Sequence, residues 1–159
     1  MAVMGHTYQA SDLAGTGRRE FLDRAKAGEA HLRDTDGTPL VMVPAVDLDG
    51  LRGITAWLIS YLSLETALRR PRDQRQPSDL GQVAWAATLD EDDLGEMRDD
   101  LGAALVVAAS QRDPRPVETL MRDWRYSATS LADPVSGPIL RGEYGDDDFV
   151  EVARPSATP

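Results

Sequence analysis

The sequence predicts an α+β protein in which a small N-terminal sheet with two helices precedes a mainly α-helical C-terminal region. Short β-prone runs flank one helical pattern in the first 44 residues, and an Asp36-Gly37 pair between two of them favours a tight hairpin turn. From residue 51 onward, apolar residues recur at helical spacing instead. The predicted organisation is an N-terminal unit at 1–68, a linker at 69–79, a helical region at 80–142 and an acidic tail at 143–159.

The first helix of the N-terminal unit follows a β-prone run at 6–10. Ser11 is a suitable N-cap, and Asp12 lies in the first turn, where the helix dipole favours an acidic side chain. Gly15 and Gly17 weaken the first turns, so either the helix starts irregularly or another segment approaches its backbone closely. Gly28 is a natural end. The apolar face that should meet the core is formed by Phe21, Leu22 and Ala25.

A hairpin and a second helix complete the N-terminal unit. The hairpin strands are predicted at 30–34 and 38–43, and the helix at 47–68. This helix carries more apolar positions than one core-facing side needs, and so small a unit cannot bury them all. Packing against the chain's own second half and formation of a homodimer both explain the surplus, and they are compatible. The residues expected in a dimer interface are Leu51, Ile54, Leu58, Tyr61 and Leu62.

The second half of the chain is predicted to contain a helical hairpin. Residues 69–79 hold two prolines and no apolar face, so we interpret them as a linker with solvated arginines, DNA contact being the alternative. Two amphipathic patterns follow at 94–108 and 117–131, separated by a proline-containing turn. These helices carry enough apolar residues to fold without a partner.

Charge is unevenly distributed along the chain. Basic and acidic residues balance in the first 76 residues, so the whole net charge of −10 belongs to the rest. Such an asymmetry fits two partners of opposite charge, although it can also arise by chance. The chain has no cysteine, no basic-then-apolar leader, and no apolar run longer than the nine residues at 54–62, too few to span a bilayer. We therefore expect a cytoplasmic protein without membrane contact.

Enzymatic and metal-dependent functions find no support in the motifs. The acidic run at 90–93 is better suited to capping a helix than to holding a metal, because adjacent helical residues do not face one another. The run at 146–148 lacks the alternating oxygen ligands of a calcium loop, and Gly15-Thr16-Gly17 lacks the remainder of a phosphate-binding loop. We expect no catalytic residues, no metal and no cofactor.

The N-terminal motifs, in their order, resemble the Phd/YefM antitoxin family. The matching pieces are Ala10-Ser11-Asp12-Leu13, then Ala25-Lys26-Ala27-Gly28-Glu29, then the run from Asp36 to Val43-Pro44. The resemblance covers residues 6–68 and implies a dimeric DNA-binding domain that represses its own operon. The residues that it implies for DNA contact are His6, Gln9, Ser11, Arg18, Arg19 and Lys26. Arg18, Arg19 and Lys26 can share one exposed side of the first helix, where they either neutralise phosphates or form a solvated face balanced by acids.

The same resemblance implies that the C-terminal part binds and neutralises a protein toxin. An acidic surface suits a basic, RNA-contacting toxin, and a short apolar patch would add affinity. The residues expected to bind this partner are Asp146, Asp147, Asp148, Phe149, Val150 and Val152. Two other interpretations stay open: a stand-alone transcriptional regulator without a toxin, and a protein-interaction module that does not bind DNA.

Overall fold

The computed structural model describes residues 6–143 and has the predicted α+β architecture, with a small sheet followed by helices. The elements in chain order are β1 (Thr7–Gln9), a 3₁₀ helix (Ala10–Ala14), α1 (Gly17–Lys26), β2 (Ala30–Arg33), β3 (Pro39–Met42), α2 (Ala45–Leu68), 3₁₀ segments at Arg72–Gln74 and Pro77–Thr88, α3 (Glu91–Gln111), α4 (Arg115–Ala132) and α5 (Ser136–Leu140). None of the helices within residues 6–143 is long and apolar enough to cross a membrane.

The N-terminal sheet has the strand order β1-β2-β3, with β2 in the centre. β1 pairs in parallel with β2, and α1 makes the crossover between them, whereas β3 returns antiparallel to β2. The hairpin turn is at the predicted place, and Gly37 has the positive φ of 90° that favours glycine. Tyr8, Phe21, Ala25 and Ala30 form a buried cluster. We call β1 to β3 with α1 the sheet unit.

The start of α1 differs from the predicted capping by Ser11. The chain first makes the 3₁₀ helix, in which Asp12 Oδ2 accepts a hydrogen bond of 2.8 Å from the Gln9 N–H, and α1 begins only at Gly17. A Cβ atom on Gly17 would lie 2.6 Å from the Asp12 carbonyl oxygen. The two glycines therefore reflect both of the effects considered: an irregular start and a close approach of backbone.

A second, larger core joins α2 to the C-terminal helices, which together with the Pro77–Thr88 segment we call the helical body. Its largest fully buried side chains come from α2, from the stretch between α2 and α3, and from α3 and α4: Leu64, Val83, Leu89, Met97, Leu101 and Val117. The turn after α3 packs closely against two glycines of α2. A Cβ atom on Gly50 would lie 2.9 Å from the Arg112 carbonyl oxygen, and one on Gly53 would lie 3.1 Å from Pro114 Cβ.

The contacts therefore divide the chain near Pro44 and not at residue 68 as predicted. α2 packs against the Pro77–Thr88 segment and α3, and it shares no buried cluster with the sheet unit. The α3–α4 hairpin is confirmed, with Trp124 Nε1–H donating to Asp100 Oδ2 at 3.1 Å across it. Asp90 caps α3 as expected, because its Oδ1 accepts from the Asp93 N–H at 2.8 Å.

Residues 69–79 are mostly exposed, as expected for a solvated stretch, but Arg75 anchors them to the helical body. Two Arg75 nitrogens each lie 2.7 Å from an oxygen of the Glu91 carboxylate, and Arg75 also donates to the carbonyls of Leu68 and Arg70. Only 10% of the Arg75 side chain is exposed. The bidentate pair raises the pKa of Arg75 and lowers the pKa of Glu91. The low apolar content of this stretch predicted a linker, but polar contacts fix it to the helical body.

We expect Glu91→Gln to lower the melting temperature at pH 7 and to make it less dependent on pH. Because the folded state lowers the pKa of Glu91, the pair stabilises the fold above the unfolded pKa of about 4.3 and loses this effect as the pH falls through the folded value. The difference between the two proteins should thus shrink in acid. Asp92→Asn, in the same helical turn, is the control. A constant difference across the titration would contradict the assignment.

Candidate nucleic-acid interface

One flank of α1 carries the basic residues that the sequence singled out. Phe21 and Ala25 point into the sheet-unit core, which fixes the rotation of the helix. At 100° per residue, Arg18 then lies beside the buried face, whereas Arg19 and Lys26 lie about 140° and about 120° from its centre. All three side chains are exposed and line one shallow depression with the half-buried Leu22. We call Arg18, Arg19 and Lys26 the basic flank.

Asp23 reduces the positive charge of the basic flank. Its carboxylate lies 4.0 Å from Arg19 Nε and 3.9 Å from Lys26 Nζ, and all of these side chains are largely exposed. Exposed pairs of this kind contribute little to stability and are screened by salt. Arg18 has no carboxylate within 4.0 Å among residues 6–143. A phosphate could therefore contact these side chains without breaking a strong interaction.

The start of α1 contributes to the same depression. Gly15 and Thr16 line it together with the basic flank. A helix N-terminus carries partial positive charge and favours anions. In the sequence, Gly15-Thr16-Gly17 indicates a weak helix start and an incomplete phosphate-binding loop, and neither feature predicts its place beside the arginines. Its position directly before two arginines was the signal that could have placed it at the interface.

The other residues that the resemblance implies for DNA contact lie outside the lining of this depression. His6 is exposed, and its ring packs edge-on against Tyr8 with 4.6 Å between the centroids. Gln9 is exposed at the end of β1, and Ser11 is exposed within the 3₁₀ helix. The structure therefore brings together three of the six predicted residues and leaves His6, Gln9 and Ser11 elsewhere on the surface of the sheet unit.

No protein-family model, no curated protein and no solved structure matches this chain.

α2 has apolar residues on two opposite sides, and the residues of the predicted dimer interface are divided between them. Ile54 and Tyr61 are half-buried against the core of the chain itself. Leu51, Leu58 and Leu62 lie on the other side and are exposed, in line with two further apolar residues. We call this exposed row the α2 stripe, and its members are Leu48, Leu51, Leu58, Ile59 and Leu62. The two faces arise because the helix contacts the helical body along only one side.

The α2 stripe is long enough to mark an interaction surface. From Leu48 to Leu62 it extends about 21 Å along the helix axis. Contiguous apolar surface of this kind on a water-exposed helix usually indicates a binding partner. All four residues of β3, Pro39–Met42, are exposed as well.

The predicted partner-binding residues Asp146, Asp147, Asp148, Phe149, Val150 and Val152 lie outside the described residues, as does nearly all of the acidic tail.

Proposed function

We propose that this protein is a dimeric DNA-binding repressor and the antitoxin of a type II toxin–antitoxin system. The observation that carries the DNA-binding part is the basic flank, where three basic side chains and the start of α1 line one exposed depression. The order of elements in the sheet unit is the order that the resemblance to the Phd/YefM family implies. In a dimer, two such flanks would present six basic side chains to one duplex.

Arg18→Ala combined with Arg19→Ala should weaken binding to the promoter of the protein's own gene. Each phosphate contact that is lost should reduce the slope of log K against log salt by roughly 0.9. Arg98→Ala with Arg115→Ala, which removes the same charge from the helical body, is the matched control. Binding measured by fluorescence anisotropy at several salt concentrations gives the slope. If both double variants change it equally, the basic flank has no specific role.

Asp23→Asn should have the opposite effect and strengthen DNA binding. The substitution removes the carboxylate that lies 4.0 Å from Arg19 and 3.9 Å from Lys26, and it leaves a side chain of the same size. The affinity should rise most at low salt, where exposed charges are least screened. Asp49→Asn, an exposed aspartate of α2, is the control. A loss of affinity in Asp23→Asn would show that the flank does not face the phosphates.

The antitoxin part of the proposal assigns toxin binding to the acidic C-terminal half. A chain truncated after Glu143 keeps every described element and should bind the protein encoded by the neighbouring gene at least tenfold more weakly than the full chain. A fragment of residues 77–159 is a poor probe, because the helical body needs α2. Equal affinities of the full and truncated chains would exclude the tail as the binding site. DNA binding without any binding of the neighbouring protein would favour a stand-alone regulator.

A further inference from the structure

A cleft with aromatic walls and two arginines lies in the helical body, away from the basic flank. It has a volume of about 330 Å³ and opens between α2, the Pro77–Thr88 segment and α4. Trp57 comes from α2, Trp85 from the Pro77–Thr88 segment, and Met121 from α4. We call it the tryptophan cleft. Its remaining lining residues are Gln82, Glu118, Arg122 and Arg125.

The chemistry of the tryptophan cleft suits a segment that is both acidic and apolar. Arg122 and Arg125 are three residues apart on α4, so they lie on one side of that helix. Neither has a carboxylate within 4.0 Å among residues 6–143, and Glu118 is the one acidic residue of the lining. The two indoles are half-buried and offer flat apolar surface. The Gln82 amide already donates to Ser60 Oγ and to the Ala56 carbonyl within the chain.

We propose that the tryptophan cleft binds the protein's own C-terminal segment, residues 146–152. This segment reads Asp-Asp-Asp-Phe-Val-Glu-Val, which supplies carboxylates for Arg122 and Arg125 and a phenyl ring for the indoles. Charge complementarity would bring the segment to the cleft, and burial of Phe149 would hold it there. The inference does not depend on the existence of a toxin. A toxin that binds these same residues must displace them from the cleft.

The position at which the described chain ends makes the contact reachable. Arg141 Nη1 donates to the Leu131 carbonyl at 2.9 Å, so the last described residues lie beside the end of α4. Arg125 lies six residues before Leu131, which is about 9 Å along the helix axis. Phe149 follows Glu143 by six residues, and an extended chain of that length spans about 20 Å. The residues between Glu143 and Phe149 are therefore long enough for Phe149 to reach back along α4 to Arg125.

The experiment uses the full chain, whose lack of cysteine allows a single nitroxide label at Ala153→Cys. The three tryptophans give three indole N–H signals in a nitrogen-15 spectrum, and the label broadens the signals that are close to it. We expect loss of the Trp57 and Trp85 signals and a smaller effect on Trp124, whose indole faces Asp100 of α3. Arg122→Glu with Arg125→Glu should restore the lost signals, and so should Phe149→Ala.

Arg18→Glu with Arg19→Glu is the matched control and should leave the broadening unchanged. Broadening of the backbone amides of α1 instead would place the segment on the basic flank and overturn the proposal. Equal effects on all three indoles, or none, would also overturn it. In a mixture of labelled chains with isotope-enriched, unlabelled chains, selective broadening of the enriched chains would mean that the segment binds a second copy, which likewise contradicts binding within one chain.

Discussion

We expect Leu101→Ala to lower the free energy of unfolding of the helical body by about 2–5 kcal/mol, the range for deletion of a fully buried leucine side chain. Leu101 is completely buried in the middle of α3, among residues from α2, the Pro77–Thr88 segment and α4. The substitution removes apolar contacts on all of these sides at once. Chemical denaturation followed by tryptophan fluorescence measures the effect, because all three tryptophans lie in the helical body.

Two further substitutions make this result specific. Val106→Ala, on the same helix but 71% exposed, should change the stability by no more than about 0.5 kcal/mol. Phe21→Ala removes a large aromatic side chain of the sheet-unit core and should leave the tryptophan transition nearly unchanged, because the two clusters share no buried residue. A large shift of that transition in Phe21→Ala would show that the sheet unit and the helical body unfold together.

The parts of the fold that were predictable from the sequence are those that depend on local patterns. The Leu94-to-Ala108 spacing on α3 and the Val117-to-Ala128 spacing on α4 each mark a single buried face, and the structure buries those residues. The Asp36-Gly37 turn and the three strands also follow from short-range preferences. Each of these two helices buries one face in one core, so the spacing of its apolar residues is sufficient to predict which face is buried.

The division of the chain could not be predicted in this way. α2 has apolar residues on two sides, and period alone does not say which side meets the chain's own helices. Gly50 and Gly53 were the sequence feature that could have identified the inner side of α2, since glycines three residues apart let another segment reach the helix backbone. The polar character of residues 69–79 was equally misleading, because Arg75 is held by Glu91, sixteen residues further along the chain.

The candidate interface was predictable only in part for a related reason. Arg18, Arg19 and Lys26 lie on one helix, so their spacing brings them together without help from tertiary structure. His6, Gln9 and Ser11 were placed by the resemblance alone, and their positions depend on how the 3₁₀ helix turns the chain before α1. At that turn the Asp12 carbonyl approaches Gly17, and the direction that the chain then takes cannot be read from the sequence.

Leu58→Glu combined with Leu62→Glu should convert the proposed dimer into a monomer. Leu58 is 45% and Leu62 is 53% exposed in the single chain, so the substitutions cost the folded monomer little. In a two-fold dimer each would occur twice, and each buried leucine that is lost removes about 1.5–3 kcal/mol of apolar burial. The dimer dissociation constant should therefore rise roughly 100-fold or more.

Sedimentation of the full chain over a range of concentrations measures this change, and thermal unfolding checks that the variant is folded. Val106→Glu with Val107→Glu, on an exposed part of α3, introduces the same charge and should leave the dimer intact. The monomeric variant should also bind promoter DNA with a smaller salt dependence, because one basic flank replaces two. If the variant stays dimeric, the dimer interface is not formed by the α2 stripe. A wild-type chain that is monomeric at micromolar concentration would contradict the dimer. The α2 stripe would then be expected to bind a different protein, since apolar side chains in a row of this length are rarely left uncovered.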